Sequence, residues 1–137
     1  MGRTILAVLA GAAVMWLTVF VMEFVGHATF PPPPGLDPKD PAQLQQVIAR
    51  MPIGAMAMLV VAWVAGAFTG GFTAAKVSLQ HPRTAAIAVA VLVMLGVGGM
   101  IYLVPDHPTW VAALGLLLPI PTALLAARLA KPASRNP

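Results

Sequence analysis

"TILAVLAGAAVMWLTVFVM", residues 4–22, carries no charged side chain. A helix over these residues at about 1.5 Å per residue is about 28 Å long, close to the ~30 Å of a bilayer's hydrocarbon core. The run is continuously apolar, whereas the wall of a membrane barrel alternates apolar and polar positions, so a strand is the wrong reading. The same test succeeds three more times, at residues 51–75, 84–105 and 107–127. Only 9% of the chain is charged and 59% is hydrophobic, and the mean hydropathy is +0.87. A soluble chain of this size has too few polar residues to cover so much apolar surface. The expected fold class is all-α, an integral membrane four-helix bundle. It forms one domain over residues 1–137, with spans at about 4–29, 52–76, 84–104 and 108–129.

Basic residues give the orientation. Arg3, Lys76, Arg83, Arg128, Lys131 and Arg135 flank one side of the spans, and only Lys39 and Arg50 flank the other. The excess of Lys and Arg marks the cytoplasmic side, so both termini and the second loop are expected there. Loops one and three are then periplasmic, in a bacterial cytoplasmic membrane. The acids Glu23, Asp37, Asp40 and Asp106 fall on the opposite side. The first apolar run is too long for the core of a typical signal peptide and is kept as a span. Thr or Ser is missing at position six, so "MGRTIL" is not a myristoylation start. With no cysteine, disulfides, thiol chemistry and cysteine ligands are excluded. The +4 formal charge suits anionic lipid headgroups, and nothing in the pattern points to nucleic acid.

The stretch "EFVGHATFPPPPG", residues 23–35, is unusual in this background. The first helix should stop near Thr29, and Pro31 to Pro34 should form a stiff polyproline strut, with Gly35 letting the chain turn. Asp40 followed by Pro41 is a helix start, with the acid capping free amides. Leu44, Val47, Ile48 and Met51 then recur at helical spacing. They predict an amphipathic interfacial helix over about 41–51, in the first periplasmic loop. It either packs over the mouth of the bundle or serves as a lid or docking surface.

In the second span Ala62, Gly66, Gly70 and Ala74 recur every four residues, a small-residue stripe that lets helix backbones approach closely in lipid. Gly96 is expected to give a similar contact in the third span. The stripe packs within the bundle by default, or between protomers. Pro119 and Pro121 fall inside the fourth span and should kink it.

Glu23 is the one acid placed to enter the hydrocarbon, and an intramembrane carboxylate is a functional candidate because its charge is costly there. His27 lies one turn further on. Together with Asp106 and His107, these residues make two helix ends that each present a carboxylate and an imidazole. Such a set suits a proton-handling pair, Glu23 with His27, or a divalent metal held by all four. The bland alternatives are equally concrete: Asp106 caps a helix, His107 precedes proline, and Glu23 pairs with His27 or Arg50. No other cofactor is expected. The only serines, Ser78 and Ser134, sit on the cytoplasmic side, away from the histidine pair, so a catalytic triad has no basis and an enzyme is not the expected reading.

"GHATFPPPPGLD" (26–37), "AWVAGAFTGG" (62–71) and "PDHPTW" (105–110) together resemble a pattern in short four-span bacterial membrane proteins without an assigned activity. That resemblance implies the topology and no substrate, cofactor or site residue. A weaker similarity is to the small multidrug resistance transporters, also short four-helix proteins with a carboxylate in the first helix, a place that Glu23 would take. The proline strut, the surface helix and the position of Glu23 near the helix end depart from that second family. The expected function is a non-enzymatic accessory, assembly or scaffold subunit that meets a larger membrane complex or copies of itself. The alternative is a proton-coupled transporter of an ion or small molecule, using Glu23.

Overall fold

The computed structural model describes residues 1–130. Lys131, Ser134 and Arg135, which entered the reading of orientation and chemistry, lie outside the described residues. Six helices follow one another in the described residues: α1 (Gly2–Thr29), α2 (Leu44–Arg50), α3 (Ile53–Val77), α4 (Pro82–Leu103), α5 (Thr109–Leu117) and α6 (Pro119–Ala130). There is no strand among the described residues. The segments Gly2–Thr29, Ile53–Val77, Pro82–Leu103 and Thr109–Ala130 are each long and apolar enough to cross a membrane. The chain is a multi-pass membrane protein.

The centre of the bundle is α3, which packs on α1, α4, α5 and α6, whereas α1 packs only on α3 and α4. The reason is the small-residue stripe. Ala62 and Ala74 are fully buried. A Cβ built on Gly66 would lie 2.6 Å from Val19 Cγ2, and one on Gly70 would lie 2.5 Å from Met15 Cβ and 2.6 Å from the Gly11 carbonyl oxygen. The stripe therefore packs within the chain, against α1. Gly11 supplies the reciprocal gap, since its own Cβ would stand 2.6 Å from the Gly70 carbonyl oxygen. Gly96 corrects the expectation made for it: nothing lies within 4 Å of where its Cβ would be, because it faces away from the bundle.

Three apolar clusters fill the interior. Met56, Val60, Trp63, Val93, Val97 and Val111 form one, with Ile48 of α2 reaching into it. Ala75, Ala86, Ala90, Ala123, Ala127 and Ala130 form the second, where the absence of long side chains draws α3, α4 and α6 together. Ala7, Ala74, Ala85 and Val89 form the third, between α1, α3 and α4. Trp63 fits the first cluster because α5 yields a gap: a Cβ on Gly115 would lie 2.6 Å from the Trp63 ring.

The fourth span is two helices. It breaks at Leu118, directly before the buried Pro119. Neither Pro119 nor Pro121 has an N–H, so the carbonyls of Gly115 and Leu117 have no helical donor four residues on.

Candidate functional site

The end of the bundle that carries Glu23 is covered chiefly by the loop between α1 and α3. The proline strut is shorter than its four residues suggest. The Leu36 N–H donates to the Pro33 carbonyl at 3.3 Å across Pro34 and Gly35, and Gly35 has φ +80°. Proline then glycine with positive φ is the central pair of a type II turn, so the straight part ends at Pro33. Asp37 opens a second turn, with the Lys39 N–H donating to its Oδ1 at 2.9 Å. The Gln43 side chain ties the two ends of this turn: its Oε1 accepts from the Asp37 N–H at 2.9 Å, and its Nε2 donates to Asp40 Oδ2 at 2.8 Å.

Asp40 does cap, accepting from the Ala42 N–H at 2.9 Å, but it caps a turn. The helix expected over 41–51 begins only at Leu44 and ends at Arg50. Residues 41–43 are held in that turn by Asp40, which competes with helical pairing as short acidic side chains do. Val47 and Ile48 are buried and Leu44 and Met51 half-buried, so α2 covers the mouth of the bundle. It does so from a distance, since no Cα of α2 comes within 8 Å of one in another helix. Gln45 Nε2 donates to Asp106 Oδ1 at 3.3 Å, linking α2 to the connection between α4 and α5.

The gap left under α2 is a cavity of about 260 Å³. Glu23 and His27 of α1 line it, with His107 from the connection between α4 and α5. A second cavity of about 60 Å³ shares Glu23, His27, Phe30, Met51 and Leu59 with it, so Glu23 borders both. Phe30 separates α1 from the start of α3, its ring lying where a Cβ on Gly54 would be, at 2.6 Å.

Three of the four polar residues singled out in the sequence therefore meet at one cavity. Asp106 does not line it and is exposed, held by Gln45. Among the described residues no three His, Asp or Glu side chains are grouped to hold a metal ion, so the four-residue set has no ligand geometry. The imidazole of His27 does not bond the Glu23 carboxylate; its Nδ1 donates to the Glu23 carbonyl at 2.8 Å. His107 repeats the arrangement, with Nδ1 donating to the Val104 carbonyl at 3.0 Å. Arg50, the other partner considered for Glu23, lines neither cavity.

Sequence reasoning missed the apolar walls, including Phe30, Leu59, Met100 and Val104. Phe30 was within reach, because Glu23, His27 and Phe30 lie four and three residues apart on one helical face. No protein-family model, curated protein or solved structure matches the chain.

Proposed function

We propose that this multi-pass membrane protein is a non-enzymatic accessory, assembly or scaffold subunit of a bacterial cytoplasmic membrane. Both termini are cytoplasmic in this reading, and α2 faces the periplasm as the surface offered to a larger complex or to a second copy. The observation that carries it is the mounting of α2. Ile48 anchors one face in the core, Gln45 links the helix to Asp106, and the opposite face leaves Gln46, Ala49 and Arg50 exposed. A helix fixed in this way presents a constant outward surface. Below it the bundle closes through glycine and alanine contacts, which favours a packing role over a hydrophilic path.

The test is gentle solubilisation of the tagged protein from its native membrane, followed by mass analysis of what co-purifies. A larger partner in fixed stoichiometry, lost with Arg50→Glu, is the expected result. Self-association alone leaves two readings, docking of α2 on a second copy and a proton-coupled transporter using Glu23, the latter favoured by the position of Glu23 between two cavities. Glu23→Gln separates the two, because it abolishes proton-linked flux in a transporter and leaves a scaffold assembled.

A further inference from the structure

We propose that the cavity beneath α2 is a binding site for a primary ammonium group carried on a small apolar body. The argument is a count of donors and acceptors. Among the described residues, Glu23, His27 and His107 are the only polar side chains on its wall. A carbonyl oxygen accepts and cannot donate, so the bonds to the Glu23 and Val104 carbonyls fix the proton of each neutral imidazole on Nδ1. Both Nε2 atoms are then acceptors. An ionised Glu23 carboxylate is an acceptor as well.

The backbone strengthens the bias. Pro31, Pro32, Pro38 and Pro52 form part of the wall, and proline has no N–H to offer. A cavity rich in acceptors and poor in donors is matched by a ligand that brings N–H groups. An ammonium has three such donors and the opposite charge to Glu23. An anion would face the Glu23 carboxylate, and a quaternary ammonium would bring charge without N–H. The absence of a metal-holding group agrees, since the acceptors do not converge on a single small ion. Phe30 adds an aromatic ring to the wall, and Leu59, Met100 and Val104 receive an apolar body. An apolar cavity of about 150 Å³ holds a benzene, so about 260 Å³ admits a phenyl-sized body with a short arm. The ammonium can belong to a free amine or to the headgroup of an aminophospholipid.

The site stands apart from the docking role and is tested separately. The full chain is placed in phosphatidylcholine nanodiscs, and equilibrium dialysis measures binding of 2-phenylethylamine above protein-free discs. The expected result is saturable binding, at least about tenfold tighter than for the N-trimethyl analogue and absent for phenylacetate, the scale of one charged hydrogen bond. Glu23→Gln should weaken it by about tenfold or more. Leu59→Trp, which fills the cavity and keeps the carboxylate, should abolish it, and Gly96→Ala, at an exposed glycine that does not line the cavity, should leave it unchanged. Adding phosphatidylethanolamine identifies the source: competition assigns the site to a lipid headgroup, and its absence to a free amine. Lack of saturable binding overturns the proposal. So does equal affinity for the trimethyl analogue, or full binding by a correctly folded Glu23→Gln protein.

Discussion

Thr18 Oγ1 of α1 and Thr69 Oγ1 of α3 stand 2.8 Å apart, a side-chain hydrogen bond between two membrane-spanning helices. Each hydroxyl also approaches a carbonyl of its own helix, Thr18 that of Val14 at 2.8 Å and Thr69 that of Ala65 at 2.9 Å. Two hydroxyls have two protons for these three contacts, so one of the three is always without a proton. Neither carbonyl is orphaned, because each also accepts a helical N–H. Thr18→Val should therefore cost only about 0.6 kcal/mol, the average for such bonds in membranes. Reversible unfolding in mixed micelles would measure it, and a loss well above about 2 kcal/mol would mean that the pair is more than a local bond.

The small-residue contacts should matter more. Gly70→Ala places a methyl group against the Gly11 carbonyl, a backbone atom that cannot step aside. We expect about 1–3 kcal/mol of destabilisation and a wider spacing of α1 from α3. Gly96→Ala should be neutral or stabilising by up to about 1 kcal/mol, from helix propensity alone. Unfolding of the two variants side by side checks the contrast.

Trp63 is 6% exposed and rests on Gly115. Trp63→Ala should cost about 3–5 kcal/mol by emptying part of the largest cluster. Gly115→Ala should be harmful for the opposite reason, since its methyl group would meet both the Trp63 ring and Val97. In the double variant the two defects partly cancel, which a double-mutant cycle would reveal as a coupling of opposite sign to their sum.

Asp106→Ala removes the link to Gln45 at an exposed site. It should cost about 0.5 kcal/mol or less and leave the melting temperature nearly unchanged. Ile48→Ala, which cuts the buried anchor of α2, should speed amide exchange and proteolysis over residues 36–50 far more. If Asp106→Ala released α2 as readily as Ile48→Ala, the anchor would have been assigned to the wrong residue.

The spans were legible because length and continuous apolarity are one-dimensional properties, and a bilayer selects on both. The ends of α3 and α4 moved by one or two residues. What the sequence could not tell was which small residues meet a neighbour. Gly70 and Gly96 look alike as letters, but one faces α1 and the other faces outward. The start of α2 was misplaced because Asp40 and Pro41 signal a helix and a turn equally well, and the Gln43 bonds that decide for the turn depend on the loop's path. The cavity was invisible for a related reason: it exists because α2 stands off from the bundle, and no residue pattern encodes a gap.

The limited partnership of α1 has a consequence for how the protein is made. This helix packs on α3 and α4 alone and leaves Leu9, Trp16, Phe20 and Phe24 uncovered. It precedes α3 in the chain and has no helical partner in the membrane until α3 is added. Because α3 is its main partner, the first tertiary contact open to the growing chain is the pairing of α1 with α3, onto which α4 and α6 then close.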